Sequence, residues 1–233
     1  MSLLIPNHHP INPDDLVLWL DYKNTGSVAA TGTWKDYSGN GTDGTLVADA
    51  YVDNGGLNLD GTGDLLNLTT HYANLEGWNA GTFLAWIKTT ATGYIYSVSD
   101  GSDSTNFMYI VGMTSTNILN FLIRRGGTRH LGMTVNSPGI FDGAWHHIAV
   151  KTGDGANGIY IDGQAASVNF DYGSISTNEF SDIDAPSHAA VGSLRYNNVW
   201  QAPFNGQIAG VQVFNRALST GEIQGHHQRT LRA

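Results

Sequence analysis

Trp145-His146-His147-Ile148-Ala149-Val150, with Gly158-Ile159-Tyr160-Ile161-Asp162-Gly163 behind it, is the stretch on which the fold turns. Both halves are rich in β-branched and aromatic residues, which suit a pleated, half-buried surface. A turn at 154–158 separates them, and Asp162-Gly163 signals a second, because glycine accepts the positive φ of a tight hairpin turn. Neighbouring strand residues point to opposite faces, so His146 and His147 cannot chelate one ion together. The pair is expected to serve the fold, and the stretch reads as antiparallel strands.

Working outward, short apolar runs recur at 16–20, 56–59, 82–88, 95–99, 107–111, 119–124, 189–192 and 208–214, separated by Gly, Asn and Asp clusters. That is the pattern of many antiparallel strands joined by turns. The run 82–88 is apolar on both faces, as in a strand covered on two sides. The chain has 233 residues, of which 41% are apolar and 29 are glycine, so one all-β sandwich around one core accounts for its length. Trp19, Trp86 and Trp145 are assigned to that core. Ser219-Thr220-Gly221-Glu222 has capping-box spacing, which predicts a short C-terminal helix around 222–228. Residues 1–15 carry Pro6, Pro10 and Pro13 and cannot pair continuously in a sheet, so they read as an extended arm that either frays or docks on a neighbouring subunit. The sandwich domain then runs from 16 to 233.

A net charge of −9 repels phosphate backbones and anionic headgroups, which excludes nucleic-acid and membrane-surface partners. With no cysteine, neither disulfides nor thiolate metal sites can form. The first residues lack a basic segment followed by an apolar stretch, so no secretory signal is expected in this chain, and no run is long enough to span a bilayer.

Several segments resemble, in order, the motifs of the laminin-G-like jelly-roll family of the concanavalin-A-like lectin/glucanase superfamily. They are Trp34-Lys35-Asp36-Tyr37-Ser38-Gly39-Asn40-Gly41 with Gly44-Thr45-Leu46, then Leu59-Asp60-Gly61-Thr62-Gly63-Asp64, then 81–88. The Trp145 and Tyr160 segments follow, and last come Phe204-Asn205-Gly206-Gln207-Ile208 and Phe214-Asn215-Arg216-Ala217-Leu218-Ser219. The resemblance implies two curved antiparallel sheets packed face to face, with ligand sites on the concave face or the rim loops. It leaves the activity open, since members bind sugars, proteins or calcium and related enzymes cleave polysaccharides.

Glycan hydrolysis needs carboxylates at alternate strand positions, and no glutamate among Glu76, Glu179 and Glu222 has such a partner. Asp182-Ile183-Asp184 alternates correctly but lies among Ser181, Pro186 and Ser187, which suggests a loop. No catalytic residue is therefore assigned. Arg124, Arg125 and Arg129, with His130, form the one dense basic cluster, read either as a solvated patch or as a site for an acidic sugar or a neighbour's carboxylates. Arg195-Tyr196-Asn197-Asn198-Val199-Trp200 offers aromatic faces for stacking and polar groups for hydroxyls within one loop, and Tyr94 to Tyr96, leading into Asp100-Gly101-Ser102-Asp103, offers the same. Tyr196, Asn198, Trp200 and the three arginines are thus the candidate ligand-binding residues. Asp36 and Asp60 are candidate calcium ligands, although the Asp36 loop lacks the closing Glu of an EF-hand and the last long strand, at 208–211, lacks the carboxylate that the family uses for calcium. His8-His9 and His226-His227 read as incidental metal binders near the chain ends.

Two readings follow. One is a non-catalytic recognition module for glycans, secreted or on a cell surface. The other is a structural component of a virion, a phage decoration or tail protein, whose arm docks on a lattice or a homo-oligomer. A polysaccharide-cleaving enzyme is the remaining alternative.

Overall fold

The computed structural model describes residues 15–21 and 32–230, apart from positions 54, 69, 72–74, 76, 103, 104, 114, 116, 178, 181, 182 and 184. The arm up to residue 14, His8-His9, Asp103, Asp182 and Asp184 lie outside the described residues.

Alternating burial builds two sheets. The first runs β14 (Gln164–Ala165), β13 (Gly158–Ile161), β12 (Trp145–Thr152), β7 (Gly81–Lys88), β19 (Asn205–Phe214), β5 (Gly56–Asp60), β4 (Tyr51–Asp53), and β1 (Leu16–Leu20) also pairs with β19. The second has nine strands in the order β15 (Asn169–Tyr172), β11 (Thr128–Asn136), β10 (Ile118–Arg125), β9 (Phe107–Met113), β8 (Gly93–Ser99), β16 (His188–Val191), β6 (Leu65–Asn67), β3 (Gly44–Val47), β2 (Thr33–Trp34). All recorded pairings are antiparallel, as the turn-separated runs predict. A hairpin of β17 (Leu194–Tyr196) and β18 (Val199–Gln201) stands beside the second sheet.

The core lies between the sheets. From β7, Phe83, Ala85 and Ile87 enter it, and Phe83 stacks on Tyr96 of the facing sheet at 4.9 Å. The other side of β7 is apolar too, and Leu84 packs with Ala149, Tyr160 and Phe214 beneath Leu218 and Ile223. Ile223 belongs to α1 (Thr220–Thr230), which covers this outer face. Its capping box is closed: Ser219 N donates to Glu222 Oε2 at 2.8 Å and Glu222 N to Ser219 Oγ at 3.2 Å. Arg216 ties Glu222 to Asp15, and its guanidinium holds the Glu222 carboxyl down at about 2.

The tryptophans differ from expectation. Trp34 is fully buried in the core, whereas Trp19 and Trp145 are half-buried. Trp86 is buried, but under α1 rather than between the sheets, because its indole N–H needs an acceptor and donates to Thr230 Oγ1 at 2.8 Å. In β19 a bulge between Ala209 and Gln212, with Gly210 at φ 59°, puts both Ile208 and Val211 into the core.

Candidate functional site

The outer face of the nine-stranded sheet has no helix over it among the described residues. Side chains at alternate positions reach it from β9 and β10, and the register sets Leu122 against Tyr109 and Arg124 against Phe107. Phe107 and Leu122, with Leu194 from the β17 hairpin, form a buried apolar floor, on which Tyr94, Tyr109 and Tyr196 lie half-buried. Tyr109 meets Tyr94 edge-on at 5.3 Å and stacks with Phe107 at 5.5 Å, while Tyr196 leans on Phe107 at 6.3 Å. Burial raises the Tyr94 and Tyr109 hydroxyls above the usual phenol range, so both stay neutral and able to donate.

Polar groups border this floor. A bulge between Ile123 and Arg124 sets Arg124 directly opposite Arg129 across β10 and β11. Arg124 Nε donates to Gly127 O at 3.0 Å, and its guanidinium lies over the Phe107 ring at 5.9 Å. Exposed Arg129 donates from Nη1 to Tyr172 Oη at 2.6 Å and lies over that ring at 5.1 Å. Tyr172 can lie there because β11 has glycine beneath it: a Cβ on Gly132 would come within 3.0 Å of the Tyr172 ring. Further along, Asn120 Nδ2 donates to Thr134 Oγ1 at 2.8 Å, and Thr134 Oγ1 to Asp171 Oδ2 at 2.5 Å.

Tyr196, Arg124 and Arg129 thus come together, joined by Tyr94. Arg125 pairs with Thr128, and strand alternation sends it to the other side. Arg195 to Trp200 is a hairpin rather than a loop. Asn197 and Asn198 hold its tight turn at φ 50° and 60°, so Asn198 is a turn residue. The cross-strand pair Arg195 and Trp200 faces away from Tyr196. The Arg195 guanidinium lies over the Trp200 ring at 5.5 Å, and that ring meets His188 edge-on at 6.1 Å. Tyr96, grouped with Tyr94 in the sequence, is a core residue. Phe107, Tyr109, Leu122 and Tyr172 enter the site without having been singled out in the sequence; their signal is the every-second-residue spacing of 107, 109 and 122, 124.

The candidate calcium ligands separate. Asp36 accepts from Trp19 N, Ser38 N and Oγ, and Thr42 N and Oγ1. Burial would raise its carboxyl, but these donors outweigh burial and hold it low. Both oxygens are committed to the turn, so Asp36 does not fit a metal. Asp60 instead groups with Asp49 and Asp64, with one oxygen of each within 4.8 Å of the others. That oxygen set suits a hard divalent cation, although buried Asp64 already accepts the backbone N–H groups of Asp49 and Asp60.

The histidines take structural positions. His146 lies between Asp162 and Asp142, at 2.8 and 3.1 Å. His147, on the opposite face, pairs through Nε2 with Nδ1 of buried His226 at 2.9 Å, and His227 stacks on Trp86 at 5.4 Å. His226 and His227 are therefore packing residues of α1, turned toward β7 and β12.

Comparison with known proteins agrees with this architecture. A laminin-G-type family model, described as the concanavalin A-like lectin/glucanases superfamily, matches residues 60–224. No curated protein matches the chain in sequence. Among solved structures, the CBM40 domain of a Ruminococcus gnavus sialidase, bound to α2,6-sialyllactose, is similar at 17% identity and a TM-score of 0.62, covering 78% of this chain and 98% of that one. The receptor-binding domain of a botulinum neurotoxin C/D mosaic is similar at 15% identity and 0.62, covering 93% and 51%. A NanB sialidase variant from Streptococcus pneumoniae is similar at 15% identity and 0.59, covering 76% and 27%. At these identities the likeness is one of fold.

Proposed function

Since the chain belongs to the concanavalin A-like lectin/glucanase superfamily, we propose that it is a non-catalytic glycan-binding module that takes its ligand on the outer face of the nine-stranded sheet. The observation that carries this reading is the platform of Tyr94, Tyr109 and Tyr196 over a buried apolar floor, bordered by Arg124, Arg129 and the Asn120–Thr134–Asp171 chain. Flat aromatic surface takes the C–H face of a sugar ring, and the polar border takes its hydroxyls. The sialyllactose complex of the R. gnavus domain supports a sugar as the class of ligand. Glu222, bound by Arg216 and Ser219, is not available as a catalytic acid, which favours binding over cleavage. The place of action is extracellular or at a cell surface.

A glycan array followed by calorimetric titration tests this. Binding of at least one glycan, weakened about tenfold or more by Tyr109→Ala, is the expected result. No binding across the array, or full affinity in Tyr109→Ala, overturns it.

An assembly role for residues 1–15, on a virion or another lattice, is a second reading. Its support is that Arg216 Nε holds Asp15, the last residue of that arm, at 2.7 Å, which fixes where the arm leaves the sandwich. Light scattering of the chain with and without residues 1–14 tests it, and a monomer in both forms removes it.

A further inference from the structure

We propose that the glycan recognised here is acidic, and that Arg124 and Arg129 together grip a carboxylate or sulfate ester on its sugar ring. This rests on the glycan reading of the same face.

The placement of Arg124 and Arg129 costs the fold. Like charges directly opposite one another on paired strands are destabilising, and the β10 bulge sets two guanidiniums in that relation. Among the described residues neither arginine has a carboxylate in an ion pair. Asp171, at the same edge, is engaged by Thr134 and reaches Arg129 only weakly through its field. The chain has 20 acidic residues against 11 basic ones, so carboxylates are abundant, and yet none among the described residues closes this pair. An anion from outside would relieve the repulsion and meet a matched set of donors. Arg124 uses Nε on Gly127 O and Arg129 uses Nη1 on Tyr172 Oη, and the rest of each guanidinium has no partner among the described residues.

The pair is also ordered before the ligand arrives. Each guanidinium lies over an aromatic ring, Phe107 or Tyr172, and each is tied by one hydrogen bond. A planar fork already in place loses little freedom on taking two oxygens of an anion. The tyrosine platform on the same face favours a sugar over an acidic peptide, because stacking needs a flat apolar ring surface that an acidic side chain lacks.

The test titrates the full chain with paired probes that differ in charge: sialyllactose against lactose, oligogalacturonide against its methyl ester, and sulfated lactose. The acidic member of a pair should bind about tenfold or more tightly, and that preference should weaken at high salt. Arg129→Gln should abolish the preference without lowering the melting temperature, since Arg129 is exposed and its loss relieves the repulsion with Arg124. Arg124→Gln should do the same, but it also removes the tie to Gly127 O, so Arg129→Gln is the deciding variant. The sulfate and carboxylate arms show which group is preferred. Equal affinity for acidic and neutral members, lost in Tyr109→Ala, overturns the proposal and leaves the glycan reading standing. Binding of an oligoglutamate peptide as tight as that of the acidic sugars, and unaffected by Tyr109→Ala, also overturns it. Absence of binding to every saccharide overturns the glycan reading itself.

Discussion

Over the first sheet, Leu84, Ala149, Tyr160 and Phe214 lie beneath Leu218 and Ile223 of the C-terminal segment; over the second, Phe107, Leu122 and Leu194 carry three half-buried tyrosines and the guanidinium of Arg124. Both faces present apolar surface that water disfavours. Where the chain supplies a helix as cover, the remaining polar groups are internal devices, such as the His147–His226 pair and the Trp86–Thr230 bond. Where it supplies tyrosines and two opposed arginines, the surface keeps hydrogen-bonding groups pointed outward. The difference separates a face that holds the domain together from the face on which we place the ligand.

The most drastic way to break this contrast is to remove residues 220–230. With the cover gone from Leu84 and Phe214, calorimetry should show loss of the single cooperative melting transition. The milder Ile223→Ala should lower the unfolding free energy by about 2–4 kcal/mol in urea titration, since that side chain is fully buried.

Acid comes next. Burial holds His71 at about 4, although the field of Asp36 opposes this, and its Nε2 pairs with Tyr96 Oη at 2.8 Å. Burial, reinforced by His226 and His227, also pushes His147 well below its usual value. Both rings are neutral in the fold, but the unfolded chain protonates them below about 6.5. Stability present at neutral pH is therefore lost as the pH falls from about 6.5 to about 4, by roughly 3 kcal/mol for His71 alone. His146 works the other way. Burial lowers it, but the hydrogen bonds it donates to Asp162 and Asp142 outweigh burial and raise it, so its contribution is full below about 6.5 and fades as the pH rises through the raised value. Urea midpoints at pH 7, 5.5 and 4 should fall, and fall less steeply in His147→Gln.

On the open face the same logic predicts smaller losses of stability. Tyr109→Ala should cost about 1 kcal/mol in urea titration, below Ile223→Ala, because Tyr109 is only half-buried whereas Ile223 is fully buried. Trp200→Ala should change glycan affinity by less than about twofold, since its ring sits with His188 and Arg195 on the far side of the hairpin. A large loss there would move the ligand to that side and erase the contrast.

Much of this was legible in the residues, where the signal is local. The cap of α1 could be read from Ser219 and Glu222 because both partners lie within one turn, and the two-sided apolar character of β7 announced its double burial. What could not be read depends on long-range pairing. The face that Trp200 occupies follows from Asn197 and Asn198 forming a tight turn, which converts a loop with two aromatics into a hairpin whose alternate residues diverge. The sequence does not mark β11 because Arg129, His130 and Gly132 break its apolar pattern; Arg129 and Gly132 are explained by Arg124 and Tyr172 across from them, and His130 is the residue left over at the bulge. Trp34 lies in the core between the sheets, and nothing beside it in the sequence marks it as more internal than Trp145.

The first sheet has its order because β19 lies between β7 and β5 and also receives β1. Without it the sheet is two separate pieces, β14 to β7 and β5 with β4. During synthesis those pieces must wait, with open edges, until residue 214 has left the ribosome, because the strand that joins them follows every other described strand in chain order. Their interval of exposure is set by the speed of translation, and a chaperone that shields strand edges would act on this protein in that interval.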